Sequence, residues 1–376
     1  MTEPPVPDVH FTERQIAAVR YVVEHRLGGE AELAFLAGSL AVGLGHGTSD
    51  VDVYAVGEGL PEQDRGYEHD GVLVHVTRLD GALVRRLVAT GTRFTATGAD
   101  REQFALDYKV YNALVRLTTG YRVRATPEWQ DLLSSLRRDV VRQILIARHA
   151  NVFAAFAEDV WGALLSGDRY TAATASTIAL ENAAEAVLAA ADDIYFGPKF
   201  LFRRLRRTEV TSSWAAELWR LLNQAFGRGL DDLEAVVARR LRVGNLLLAW
   251  CVTEGWDKPL LQLPAPQSVV VDETSRRSPY FATVRLSDGI ALMGPDGGYA
   301  AAEQVVRAWR DADCFGLDET DPAVRGLRAI GAVDGPGRPA ADPLPPRLPA
   351  DPAVAAVLQE RPSFSVHPRS EPVAGS

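Results

Sequence analysis

The chain has 376 residues, a hydrophobic fraction of 47%, a charged fraction of 24% and a formal net charge of -9, ordinary values for a soluble globular protein with room for two or three domains. The acidic balance lacks the broad basic surface that phosphate backbones demand, which argues against nucleic acid as a partner and for a small or cationic one. Two cysteines, Cys251 and Cys314, are too few for a disulfide framework or a zinc cluster, so a reducing, cytoplasmic location is expected.

The N-terminal MTEPPVPDVHF has neither a basic start nor an apolar run, and no later stretch has the uninterrupted apolar length of a membrane span; neither secretion nor membrane insertion is expected. From residue 12, Ile16, Val19, Val22 and Val23 recur at helical spacing, and after Gly28-Gly29 the run ELAFLAGS reads as a strand. A glycine-rich loop leads to DVDVYAV, whose alternation buries one face and leaves Asp50, Asp52 and Tyr54 on the other. A further strand, GVLVHVTRL, leaves the turn signal Asp70-Gly71 and puts Leu73, His75 and Thr77 on one face.

From about 100 to 258 the pattern changes to amphipathic helices, around 101–118, 129–166, 170–193, 212–226 and 230–254, with breaks at Thr126-Pro127, 166–168, 196–198 and 227–229. The linker LPAPQ leads to a smaller unit with strand patterns SVVVDE, FATVRL and IALMG, a helix near 300–313 and the run VRGLRAIGAV. The tail, rich in Pro, Ala and Arg without periodic apolar residues, reads as disordered and dispensable. The fold class expected is α+β: a small mixed-sheet core over 1–98, a helical bundle over 99–262, a C-terminal α/β unit over 268–334 with the texture of a winged-helix or peptide-docking module, and the tail 335–376.

The chemistry concentrates in GSLAVGLGHGTSDVDV, residues 38–53. Two aspartates at i and i+2 on a strand project from one face, both ionised at neutral pH, and repel unless a cation sits between them. Magnesium takes oxygen ligands and keeps water or phosphate in its remaining positions, so Asp50 and Asp52 fit a site that presents a metal-bound nucleoside triphosphate. The Gly38-Ser39 turn then serves the triphosphate, since glycine lets backbone N–H groups approach phosphate oxygens and the serine hydroxyl adds a donor. Taken singly, such a pair is a solvated face and Gly-Ser a turn; their order along the chain is what raises them. The stretch is not a P-loop, because no Gly-Lys-Ser/Thr follows, and it is not a dinucleotide fingerprint.

The motif resembles that of the nucleotidyltransferase superfamily that includes DNA polymerase beta, and within it the small-molecule, antibiotic-type nucleotidyltransferases: Gly-Ser, an interval ending in Ser-Asp, then a hydrophobic residue and Asp, here Gly38, Ser39, Gly43, Ser49, Asp50, Val51 and Asp52. The resemblance covers roughly residues 30–80. It implies a nucleotidyltransferase core in which Ser39 and the backbone around Gly38 hold the β and γ phosphates, Ser49 and Lys199 also contact the nucleotide, Asp50 and Asp52 bind Mg2+, and an NMP, AMP from ATP in the first instance, passes to a hydroxyl or amine of a small acceptor. One position departs from the family: its third carboxylate corresponds to His75, in Val74-His75-Val76. His75 is then a base or ligand, an acid from the bundle substitutes, or catalysis is impaired.

Candidate acids are Glu158, Asp159, Glu181, Glu185 and Asp192-Asp193, each read first as a solvated helix face; Glu181 stands out because its helix is mostly small and apolar, where a carboxylate needs a partner. Lys199 opens the basic run KFLFRRLRR, which faces phosphates, acceptor or solvent, while Arg85 and Arg86 read as surface. The expected acceptor pocket has Asp52 and His75 on one side and Glu181 on the other. The alternatives are a nucleotide-binding regulatory or non-catalytic protein, a toxin-type member acting on RNA or protein, and a peptide or protein partner held at the C-terminal unit.

Overall fold

The computed structural model describes residues 8–366 apart from 62, 196, 225, 227–231, 272–273, 314–316 and 335–347. Cys314, the break at 227–229 and the tail over 335–347 and 367–376 lie outside the described residues. The fold class is α+β, with one mixed sheet and one antiparallel sheet. The chain divides into two units, the first of residues up to 94, 106–141 and 194–203, the second of 95–105, 142–193 and from 204 onward.

In the first unit α1 (Glu13–Tyr21) starts at Thr12, whose hydroxyl and Gln15 form a reciprocal capping box, and it runs on through a π-helical turn to Arg26. The strands are β1 (Leu33–Ala37), β2 (Val51–Val56), β3 (Arg65–His69) and β4 (Val72–Arg78), followed by α2 (Gly81–Thr90), α3 (Tyr108–Thr119), β5 (Tyr121–Ala125) and α4 (Pro127–Ser134). The sheet order is β3-β4-β2-β1-β5, with β2 and β4 parallel and the other pairs antiparallel. The expected boundary at 98/99 is corrected, because β5 and α3, read as bundle, belong to this core. β3 was also unexpected: RGYEH has no apolar alternation, and the strand forms because Asp70 and Gly71, at φ 49° and 67°, turn the chain back in a two-residue hairpin onto β4.

Strand alternation then gives this sheet two different faces. Ala34, Leu36, Val51, Val53, Ala55, Val74 and Val76 share a core with Ala18, Val19, Val22 and Val23. The other face carries Phe35, Ala37, Asp52, Tyr54 and His75.

The helices that follow are α5 (Arg138–Ser166), α6 (Arg169–Ala190), α7 (Leu201–Arg207), α8 (Glu209–Asn223) and α9 (Leu233–Thr253). Alanines 172, 175, 179, 183, 186 and 190 on α6 are buried, and their small side chains let α9 lie close along it. The C-terminal part is β6 (Ala282–Leu286), β7 (Gly289–Gly294), β8 (Gly297–Ala301), α10 (Glu303–Asp311), α11 (Pro322–Ala329), α12 (Pro352–Ala355) and β9 (Leu358–Glu360), with sheet order β6-β7-β8-β9. No strand forms over the described part of SVVVDE, and GGYAA, half of it read as helix, is β8. Among the described residues no helix is long and apolar enough to cross a membrane.

Two further expectations are corrected here. The C-terminal unit is not a freestanding winged-helix or docking module: Ala249 and Val252 of α9 share one core with Phe281, Leu292, Trp309 and Leu327, and buried Arg277 ties Asp313 (2.6 Å) to Asn245 of α9 (3.1 Å). Nor is the described tail loose. Val354, Leu358 and Phe364 are fully buried, β9 pairs with β8, and Arg101 donates to the carbonyls of Ser363, Ser365 and Val366. These apolar anchors are too widely spaced to show as a period, which is why the sequence hid them. Phe364→Ala should therefore cost ~3–5 kcal/mol, and truncation after Asp334 should abolish the cooperative unfolding transition of the second unit; denaturant titrations that match the full chain would refute this.

Candidate functional site

The antiparallel register of β1 and β2 sets Ala37 opposite Asp52, so the residue that leaves β1 arrives beside the second aspartate. That residue is Gly38, at φ +92°, where a Cβ would lie 3.1 Å from Asp52 Oδ2. A side chain here would be strained and would crowd the carboxylate. Ser39 follows, half-buried, at the start of a single 3-10 turn to Val42. The Gly-Ser turn thus meets half-buried Asp52, with exposed Asp50 two residues before it.

The glycine loop between them is held from two sides. Val9 bridges it, donating to Gly43 O (3.0 Å) and accepting from Gly45 N (3.2 Å). From the other side Arg203 donates to the carbonyls of Gly43 (3.0 Å), Leu44 (3.0 Å) and Gly45 (3.1 Å). Phe200, three residues earlier, stacks with His46 of the loop at 6.0 Å. The basic run is therefore only partly solvated: Lys199 and Arg206 are exposed, but Arg203 clamps the loop and Arg204 is buried in the second unit against Glu185 (2.6 Å) and Asp193 (3.0 Å). Lys199 is exposed, its Nζ 4.7 Å from the Phe200 ring, and belongs to the first unit with the loop. Ser49 uses its hydroxyl within the loop, accepting from His46 N at 2.8 Å.

The parallel pairing of β2 and β4 puts His75 in register with Asp52. On its far side lies Gly66, where an added Cβ would sit 4.0 Å from His75 Nδ1, so nothing bulky covers the half-buried imidazole from β3. Leu73, two residues earlier on the same face, is 51% exposed. Sequence reasoning missed Arg116 of α3. Its guanidinium carbon stands 5.0 Å from the centroid of the Tyr54 ring, and Tyr54, stacked on Phe35 at 5.5 Å, is buried instead of solvated. The Asp52 carboxyl is raised above its ordinary range chiefly by burial; Arg116 opposes this, Asp50 adds to it and His75 opposes it.

In the second unit three of the six candidate acids lie against arginines, Asp192 3.9 Å from Arg142 among them. Glu185 and Asp193 are spent on Arg204, and Asp193 also pairs with Arg207 at 2.8 Å. Glu181 is exposed, has no ion-pair or hydrogen-bond partner among the described residues, and carries a carboxyl raised by partial burial; the partner expected for it is absent there. His149, 4% exposed, meets Asn182 Oδ1 at 2.8 Å, and burial lowers its pKa to about 4 against the partial opposition of that hydrogen bond.

Among the described residues no three His, Cys, Asp or Glu side chains group closely enough to hold a metal by themselves. Two carboxylates nevertheless suit a hard cation that keeps water or phosphate oxygens in its other positions, as magnesium does. Asp52, raised by burial and by its neighbour, is a carboxyl that such a cation would relieve. A separate cavity of about 570 Å³, lined by Glu32, Arg78, Asp80, Arg85 and Trp129, lies where β1 begins and β2 ends and holds none of the motif's residues.

No family model and no curated protein matches the sequence. Among solved structures, a nucleotidyltransferase-like protein from Exiguobacterium sibiricum is similar at 14% identity and a TM-score of 0.33, over 64% of this chain and 80% of that one.

Two outcomes follow. Hydrogen bonds to a charged donor contribute roughly 1.5–3 kcal/mol each, not additively, so Arg203→Ala should destabilise the first unit by ~2–3 kcal/mol and deprotect amides 43–49 in hydrogen exchange; unchanged protection would refute the clamp. For His149, the unfolded imidazole takes a proton below about pH 6.5 while the folded one stays neutral to about 4. Its contribution is full above pH 6.5 and is lost as the pH falls toward 4, by up to ~3 kcal/mol. Denaturant midpoints measured over that range should fall less in His149→Gln than in the wild type.

Proposed function

We propose that the first unit is a nucleotidyltransferase centre that moves a nucleoside monophosphate, AMP from ATP in the simplest case, onto a hydroxyl or amine of a small molecule with release of pyrophosphate. The observation that carries this reading is the meeting of the Gly38-Ser39 turn with Asp52, so close that a Cβ on residue 38 would crowd the carboxylate at 3.1 Å. A donor turn for phosphate and a pair of cation-seeking carboxylates serve one ligand only if that ligand is a metal-bound polyphosphate.

Asp50 and Asp52 would hold Mg2+, which when bound supplies charge neutralisation on the phosphoryl oxygens and the leaving pyrophosphate. Ser39 and the backbone beside Gly38 bind and orient the outer phosphates. The acceptor oxygen or nitrogen bonds to the α-phosphorus as the bond from that phosphorus to the bridging oxygen breaks, and the electron pair leaves on pyrophosphate. The acceptor's proton goes to a ring nitrogen of His75, whose register beside Asp52 and uncovered flank at Gly66 suit it as base. Exposed Leu73 offers an apolar shelf for the acceptor, and Lys199 a cation near the loop.

A second reading, nucleotide binding without transfer, is favoured by the missing third acid at His75 and by the absence of a three-ligand group among the described residues. Turnover separates the two. Asp50→Asn and Asp52→Asn should each abolish transfer of labelled NMP from NTP while apo melting temperatures hold or rise, because each removes a charge that repels its neighbour. His75→Ala should lose about a hundredfold in kcat, the range of general-base loss, and His75→Asp should recover activity. Nucleotide binding that tolerates Asp50→Asn, with no transfer by the wild type to any hydroxyl or amine acceptor, would decide for the second reading.

A further inference from the structure

Arg116 differs from the other arginines that lie in or near the core. Arg203 clamps three carbonyls, Arg204 pairs with Glu185 and Asp193, Arg240 donates to Leu221 O and to Ser176 and Thr177 hydroxyls, and Arg277 pairs with Asp313. Arg116 is half-buried yet makes no hydrogen bond or ion pair among the described residues; its partner is the face of Tyr54, 5.0 Å away. A guanidinium stays charged and presents five N–H donors at its edge, and stacking on a ring occupies its face while leaving those donors free. None of the Arg116 nitrogens is among the buried atoms that lack a partner, so those donors are open to an incoming acceptor.

The position of this cation is informative. Tyr54 is two residues beyond Asp52 on the same face of β2, and β1 places Phe35 against that ring. Stacked on Tyr54, Arg116 stands beside the face that carries Asp52 and makes no salt bridge with it. One divalent cation at Asp50 and Asp52 balances the two carboxylates and leaves the charge of an incoming polyphosphate unmatched. The described residues bring no third acid into a group that would hold another cation.

We propose that Arg116 is a fixed anion subsite for the polyphosphate of the nucleotide, a guanidinium held on Tyr54 that supplies from the chain the positive charge for which this face has no further carboxylate to recruit a metal. The choice of polyphosphate as ligand rests on the nucleotidyl reading above. Because the charge is built in, weak binding of polyphosphate survives removal of metal.

Calorimetry on the full chain in EDTA at low salt, with inorganic phosphate, pyrophosphate and ATP as probes, tests this. The wild type should bind pyrophosphate and ATP and bind phosphate at least tenfold more weakly. Arg116→Ala and the longer neutral Arg116→Gln should each weaken pyrophosphate and ATP tenfold or more, Arg116→Lys should fall between them and the wild type, and Asp52→Asn should bind more tightly by removing a repelling charge. With metal present, Arg116→Gln should raise the KM for NTP more than it lowers kcat. Melting curves identify a variant that has not folded, and Lys against Gln then carries the comparison. Equal pyrophosphate affinity in Gln, Lys and wild type overturns the subsite, as does metal-free wild type that binds no pyrophosphate; phosphate bound as tightly as pyrophosphate overturns the polyphosphate assignment. Pyrophosphate binding that depends on Arg116 in a protein that transfers no nucleotide leaves the subsite standing and removes the transferase, whereas transfer with anion binding indifferent to Arg116 does the reverse.

Discussion

The first unit is organised around a repulsion. Asp52 lies on the outer face of β2 with Asp50 just before the strand, and the register of β1 with β2 brings the backbone at Gly38 against Asp52. A side chain at residue 38 would occupy the space beside the carboxylate, and a φ of +92° would strain it. The opposite face of the same strand is Val51, Val53 and Ala55, packed on α1. Period-two alternation makes the two faces inseparable: the valines that anchor β2 in the core are what hold Asp52 outside it. Sliding β2 by one residue would bury the acids and expose the valines, so the apolar core fixes the geometry of the polar site.

A glycine-rich loop is a weak support for such a site, because glycine loses the most conformational freedom on ordering. Here ordering comes from elsewhere in the sequence. Val9 bridges the loop from the N-terminal side and Arg203, some 160 residues further on, reaches three successive carbonyls. One planar guanidinium satisfies three backbone acceptors that would otherwise need water. Next to it in sequence, Arg204 turns instead to Glu185 and Asp193 in the second unit. Adjacent arginines of one basic run thus do unrelated structural work, and neither is a solvated surface charge.

How much of this was legible in the sequence follows from whether each signal was local. The helical spacing of α1, the apolar run of β1 and the alternation of β2 and β4 are local, and these elements formed as expected. β3 and β8 were not legible, since RGYEH and GGYAA carry no alternating apolar pattern and are strands only because a hairpin or an edge of an existing sheet receives them; YRVRA does alternate, Tyr121, Val123 and Ala125 with Arg122 and Arg124, but five residues directly after a helical stretch are too short a signal to set β5 apart. Leu358 and Phe364 were missed because isolated anchors have no period. Arg116 was missed because an arginine on an amphipathic helix is ordinarily solvent-facing. A trace of it was there: it stands between Val115 and Leu117, both buried, a charge inside the apolar stretch ALVRL.

The replacement of an expected acid by His75 and the free guanidinium of Arg116 make more sense together than separately. A third carboxylate in register with Asp52 would add a like charge to a face where Asp52 is already raised by burial and by Asp50; it repels its neighbours unless a second cation comes with it. A neutral imidazole accepts a proton without that repulsion, but it brings no negative charge to hold the second cation. On the proposed reading the positive charge forgone in this way has to come from the chain, and Arg116, stacked on Tyr54 and unclaimed by any carboxylate among the described residues, is where the fold provides it. Exchangeable charge is then reduced to one cation, and preorganised charge, which needs no reorganisation when phosphoryl oxygens develop their charge, is increased by one.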